Sequence, residues 1–507
     1  MTSITSLSMF AGHSGMSSVE SVASGSDPDS LGAGPNSQPT NKAAQTSAQG
    51  DTAKFSDAAK QLAAGNDATQ KSVAGASTVS EYGTVSADQG SVYLKPGQSA
   101  IVEKPLKPGT TELLGTATTK SGRLVSVSQF VAGPEGQQSS QAGYMVSISG
   151  DANHEAQSFQ VTGDAIINED KNGELQISAY TAGKETDGND IIIGAGHASL
   201  NGGKGDDTIF DVSPNSSKSI SGGDGNDTII VAANSVGDTI DAGNGDDKLI
   251  VKGGILGGEI NMGEGNDSIQ ARNIGTISGQ TTIDTGNGND SVSADFIGAN
   301  GSQVNIKTGD GNDKVHAAFI GLGGDDQVNI DTGDGNDLVD ASWIGLGFGG
   351  SASQVNINTG KGNDAVRSSW IGTSIGSGST QVNIDTGEGN DTINSSWIGT
   401  SMEGGSSQVN IKTGDGNDNI TSSWIGSSFF HGKSQVNIDT GKGDDKINAS
   451  SIGFSLDENA NSRGMLSVVQ SASGDAFVAA GTSGDDMLYA KSGRLHVWTN
   501  PKTNNGK

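Results

Sequence analysis

Eleven aspartates stand in register along the second half of this chain: Asp207, Asp227, Asp247, Asp267, Asp290, Asp313, Asp337, Asp364, Asp391, Asp418 and Asp445. The steps between them are 20, 20, 20, 23, 23, 24, 27, 27, 27 and 27 residues, and each closes a turn such as Thr332-Gly333-Asp334-Gly335-Asn336-Asp337. Carboxylates stacked a strand spacing apart repel one another, and no column of positive residues runs beside them. The residue between the two glycines changes freely (Lys204, Asp224, Asn244, Glu264, Asp310, Lys361), whereas the closing Asp does not. A hard divalent cation suits this pattern, because calcium takes six to eight oxygens from carboxylates and backbone carbonyls in a forgiving geometry. An Asp from one coil, an Asp from the next and the carbonyls of both turns would supply them. The competing reading is a solvated turn that merely favours Asn, Asp and Gly. Eleven repeats of one residue in register favour calcium. Asp190, closing the degenerate turn Glu185-Thr186-Asp187-Gly188-Asn189-Asp190, joins the candidates. So does Asp326, which closes Gly321-Leu322-Gly323-Gly324-Asp325-Asp326 on the opposite edge.

Self-similarity at this period implies a solenoid, in which each coil buries its apolar face only against its neighbours. In one coil, Gln327-Val328-Asn329-Ile330-Asp331 alternates polar and apolar and reads as a strand with Val328 and Ile330 facing in. A tight glycine turn follows, then a second strand, Leu338 to Trp343. Ile344-Gly345 leads into a Gly/Ser-rich loop that returns to the next Gln-Val-Asn-Ile. The expected fold is all-β: a right-handed parallel β-roll or β-solenoid, two sheets back to back, about 50 Å long at roughly 4.8 Å per coil.

At these residues the chain resembles the RTX (repeats-in-toxin, hemolysin-type) calcium-binding repeat, Gly-Gly-x-Gly-x-Asp-x-apolar-x. Gly202-Gly203-Lys204-Gly205-Asp206-Asp207-Thr208-Ile209-Phe210 fits every position, as does Gly222 to Ile230. The resemblance implies a parallel β-roll, Ca2+ between successive turns, and secretion from bacteria. Two features depart from the family pattern. The first glycine becomes Ala242, then Met262, then threonine at 285, 308, 332, 359, 386, 413 and 440. The repeated turns also lie on one edge only, so this is a one-sided variant.

The chain has 507 residues, 79 of them Gly, and a formal charge of −29, with 32% hydrophobic and 4% aromatic residues. One large conventional core is not expected, but a solenoid needs only a thin apolar seam. The charge argues against nucleic acid and anionic membrane surfaces as partners. No cysteine is present and no apolar run is long enough to span a membrane, so neither disulfides nor membrane insertion is expected. Residues 1–80, rich in Ser, Gly, Ala, Thr and Gln, read as disordered, with one short helix over Ser56–Ala64. They lack the basic start and apolar stretch of a Sec signal peptide, and their polar, Ser-rich composition resembles type III secretion signals. Residues 81–182 read as a small antiparallel β domain with strands over Ser99–Glu103, Glu112–Ala117, Arg123–Phe130, Tyr144–Ser149, Ser158–Thr162 and Glu174–Tyr180. The solenoid occupies 183–455. Residues 456–507 carry a partial repeat at Gly481–Leu488 and form a cap and secretion segment, placed where the RTX family carries its type I export signal.

Two further columns run through the coils. Phe296, Phe319, Trp343, Trp370, Trp397 and Trp424 follow each turn Asp by six residues. They share the parity of inward Val315 and Val339, so they are expected to fill a widened core rather than form an exposed sugar platform. Asn305, Asn329, Asn356, Asn383, Asn410 and Asn437 face out and can bond along the ladder. Ice binding is not expected, because no flat Thr row lies between the turn glycines. Gly-x-Gly here precedes a strand, not a helix, which excludes a nucleotide loop. The six His and five Arg are scattered, so the chain is not expected to be an enzyme.

The functional expectation is a secreted, extracellular calcium-binding protein. Low cytosolic calcium keeps its carboxylate column open for type I or type III export, and calcium outside closes the stack. Its role is adhesive, structural or host-directed, toward a polysaccharide or a cell-surface protein, with Gly345–Ser353, Gly372–Thr380, Gly399–Ser407 and Gly426–Ser434 as contact loops. The alternatives are a type III effector or elicitor and a calcium-dependent polysaccharide-acting enzyme.

Overall fold

The computed structural model describes residues 91–93, 111–130, 144–169 and 175–456, apart from 184, 197–198, 214–217, 278 and 453–454, together with strands 463–469, 475–480 and 494–499. The disordered region and helix expected within 1–80, the strand at 99–103 and the repeat at 481–488 lie outside these residues. The described chain is all β-strand and turn, with no helix.

Five strands form the sheet expected before the solenoid: β1 (Ser91–Tyr93), β2 (Thr111–Thr118), β3 (Leu124–Phe130), β4 (Tyr144–Ile148) and β5 (Gln157–Thr162). Their order is β1-β5-β4-β3-β2, antiparallel except for β1 on β5. Alternation buries Val125, Val127, Val146 and Ile148 on one face. That face packs on outward side chains of the first coils: Phe210 and Ile230 are 0% and 4% exposed and join the same cluster. Gly115 sits directly over Phe210 and Ile230, where any side chain would clash. The hairpin β6 (Ala165–Glu169) and β7 (Leu175–Ala179) continues into the solenoid, because β6 pairs antiparallel with β8 (Ile191–Gly194), the first coil strand.

From β8 the coils stack in parallel as two sheets. The first follows each aspartate turn, running from Thr208–Asp211 through Leu338–Phe348 to Asp445–Ile452. The second precedes each turn and has twelve strands, from Leu200–Lys204 to Arg463–Val469. The seam between them is continuous, and Val328, Ile330, Val339, Ala341 and Ile344 show what one coil contributes. Identical residues pair across coils, for example Asn329 on Asn356 and Trp343 on Trp370.

The coils lengthen from 20 to 27 residues by extending strands, and the expected loops are mostly strand. Leu338–Phe348 runs eleven residues, straight through Ile344-Gly345. Only a tight turn near Gly349 and Gly350 separates it from Ala352–Asn358. Gly345 makes this possible. Its φ of +71° bends the strand back over the second sheet, and a Cβ there would meet Val382 Cγ2 at 2.5 Å.

The in-out alternation also breaks just before that bend, at Ser342. Ala341 and Ile344 both face in, so Ser342 and Trp343 face out side by side, and the coil-to-coil pairing skips Ser342. The rings are therefore half-buried on the surface rather than in the core, contrary to the parity expectation. They stack face to face at 4.8–6.3 Å between centroids, Trp370 on Trp397 at 4.8 Å and 4°.

Candidate metal-binding ladder

The turn aspartates end up inside. Asp207, Asp227, Asp247, Asp267, Asp290, Asp313, Asp337, Asp364, Asp391, Asp418 and Asp445 are each at most 2% exposed. Each follows two glycines that carry the backbone through positive φ, such as Gly333 (+85°) and Gly335 (+158°). At Gly335 any Cβ would run into the Gly311 carbonyl of the coil below, so the turns stack only because these positions lack side chains.

The two carboxylate oxygens have different fates. In every one of these eleven turns Oδ1 accepts the backbone N–H of the aspartate one coil earlier. Distances run from 2.6 Å (Asp190 N to Asp207) to 3.0 Å (Asp418 N to Asp445). These bonds close a backbone donor that the ladder would otherwise bury unpaired. This bond by itself accounts for a side-chain oxygen of this reach in register. The second oxygen, Oδ2, is buried and has no hydrogen-bond partner in all eleven. Burial pushes the carboxyls of Asp207, Asp227, Asp247, Asp267, Asp337 and Asp418 up to about 7, against the opposing pull of the N–H bond and, at Asp337 and Asp418, of the nearby Thr332 and Thr413 hydroxyls. Asp313 and Asp364 rise to about 6, and Asp290, Asp391 and Asp445 are also raised, burial again leading. Carboxylates of neighbouring turns add to most of these shifts.

Asp190 and Asp326 differ from the column. Asp190 Oδ2 accepts the Thr186 N–H at 2.7 Å and Oδ1 the Thr186 hydroxyl at 2.8 Å, so its carboxylate is closed by its own turn. Asp326 stands on the other edge, as its sequence placed it. Its Oδ1 accepts the N–H groups of Gly301 (2.7 Å) and Ser302 (3.3 Å), its Oδ2 has no partner, and burial raises it to about 6.

The donor set for a cation is one orphaned carboxylate oxygen per turn plus backbone carbonyls. Among the described residues no three His, Cys, Asp or Glu side chains converge on one point. The hard, all-oxygen chemistry fits calcium, and carbonyls would have to complete the shell. Residues the sequence reading passed over share the site. Asn312, Asn336, Asn363 and Asn390, at the exposed tips, accept N–H bonds in the reverse sense, from the coil after (Asn336 N to Asn312 Oδ1, 2.8 Å). The threonine column, visible in the sequence only as a lost glycine, sits fully buried beside the carboxylates.

One other place could do chemistry. His316, Asp340 and Arg367 share an open groove of about 580 Å³ on the first sheet, with His316 Nδ1 3.2 Å from Asp340 Oδ2. The aromatic column cannot act as a sugar platform along its length, because each inner ring already covers its neighbours' faces and leaves only edges to solvent.

Compared with known proteins, the chain matches no family, no curated protein and no solved structure. The parallel solenoid of stacked coils is compatible with an RTX-type β-roll.

Proposed function

We propose that this protein is a calcium-binding, RTX-like β-solenoid that works outside the cell as a binding or structural element rather than as an enzyme. The observation that carries this reading is the column of buried Oδ2 atoms without donors. Each is a buried carboxylate oxygen that accepts no hydrogen bond. An unpaired buried carboxylate is costly, and a divalent cation offsets that cost where a proton otherwise must. Calcium binding then adds stability to the folded chain alone, which suits a protein exported with weak turns and tightened by external calcium. An extended polymer, such as a polysaccharide, has a place to lie on it. A groove of about 900 Å³ runs along the second sheet between the Asn305–Asn437 column and the column Asp284, Lys307, Asp331, Asn358, Asp385, Lys412 and Asp439.

The test is thermal unfolding of the full chain in chelator, in calcium and in magnesium. The expected result is a midpoint that climbs with calcium concentration and ignores magnesium. Equal midpoints in all three would refute the reading.

A further inference from the structure

The first position of each turn decides what stands between a buried carboxylate oxygen and a carbonyl of the next coil. In the turns ending at Asp207 and Asp227 that position is glycine. A methyl group built on Gly202 would run into both Asp207 Oδ2 and the Gly222 carbonyl oxygen. One built on Gly222 would run into Asp227 Oδ2 and the Ala242 carbonyl oxygen. Two acceptors thus face the same side-chain-free spot, and Asp207 Oδ2 and Asp227 Oδ2 lack any donor. Neither glycine has a left-handed φ, so the residue is required here for space.

Farther along, the spot is filled. Ala242 and Met262 fill it with carbon and are 0% exposed within the core. From residue 285 onward threonine fills it, and five of the seven hydroxyls donate to a carbonyl, those of Thr332 and Thr440 having no partner. Thr285 donates to the Thr308 carbonyl at 3.2 Å, and Thr308, Thr359, Thr386 and Thr413 donate to Thr332, Thr386, Thr413 and Thr440 at 3.3 Å. These hydroxyls bind the carbonyl that a cation would need, and they stand beside the carboxylates of their own turns. A hydroxyl supplies one donor and costs no charge.

We propose that calcium enters only the turns opened by Gly202 and Gly222, and that the threonine-bearing coils, 285–440, hold together without metal. The threonine side chain takes the cation's place. This rests on the calcium reading above and narrows it from the whole column to its first coils. The protein would then combine a calcium-responsive N-terminal section with a permanently closed one.

The experiment is calcium uptake by equilibrium dialysis of the full chain, with hydrogen exchange in calcium and in chelator. The expected result is roughly two ions per chain, one per open glycine turn, and added protection confined to residues 183–250. Uptake near one ion per turn, or protection spread across 285–445, overturns the inference and leaves calcium binding standing. No uptake at all overturns the calcium reading and the inference together. In the converse arm, Thr386→Gly in the full chain should raise uptake, whereas Thr386→Ser should not. Unchanged uptake in a folded Thr386→Gly protein would also overturn it.

Discussion

Raising pH in the absence of divalent cations should destabilise this solenoid, the reverse of the usual behaviour of structural carboxylates. The folded-state carboxyl of Asp364 is raised from 3.8 to about 6, and those of Asp207, Asp227, Asp247, Asp267, Asp337 and Asp418 to about 7, in each case chiefly by burial. Below pH ~4 both folded and unfolded chains hold these protons and the groups cost nothing. Between pH ~4 and ~7 the unfolded chain releases them first, so stability falls as pH rises. Above about 7 the whole penalty is present. For Asp364 a shift of about two units corresponds to roughly 3 kcal/mol. Neighbouring turns interact, so the eleven contributions do not add, and one such term is a floor for the change. The assay is urea unfolding in chelator at pH 5 and pH 8, followed by far-UV circular dichroism and tryptophan fluorescence. At pH 5 the unfolded carboxyl is already ionised, so about half of the Asp364 term, roughly 1.5 kcal/mol, is left to be lost by pH 8, and with a urea slope of about 3 kcal/mol/M the midpoint should fall by about 0.5 M or more. Calcium at pH 8 should recover part of it. A midpoint that is flat or rises from pH 5 to pH 8 in chelator would show that the Oδ2 atoms are not desolvated as the stacked turns require.

Four substitutions probe the rest of the architecture. Asp364→Ala removes the acceptor of the Asp337 N–H (2.8 Å) and should cost roughly 1–3 kcal/mol by chemical denaturation. Asp364→Asn keeps an oxygen there, loses the buried charge and should cost less than the alanine change at pH 8. Trp397→Ala breaks stacking with Trp370 and Trp424, for about 1–3 kcal/mol, and should strongly reduce the near-UV circular dichroism of the indole column. Thr400→Val removes a hydroxyl that is 0% exposed and has no partner, so it should be neutral or stabilising by about 1 kcal/mol in a thermal melt.

Periodicity alone identifies the solenoid, its two strands per coil and its register, because a coil can bury Val328, Ile330 and Val339 only against identical neighbours. The repeated aspartates could be named from spacing for the same reason: stacking places like residues on like. What each aspartate does with its two oxygens could not be read that way. Oδ1 reaches the N–H of a residue 17 to 27 positions earlier, a contact that exists only once coils are stacked. The aromatic column shows the limit of parity. Alternation predicts Trp343 inward, but the ladder skips Ser342, and Ser342 and Trp343 both lie on the outside. The loops expected after Ile344 are mostly strand, bent at Gly345 where it closes on Val382. The five-stranded sheet was legible as strands, yet its docking on Phe210 and Ile230 was not, since nothing local marks those two side chains as facing out. Local pattern therefore determines the repeat and its edges. Only the stacked chain decides which buried oxygen keeps a partner, because that depends on backbone from another coil.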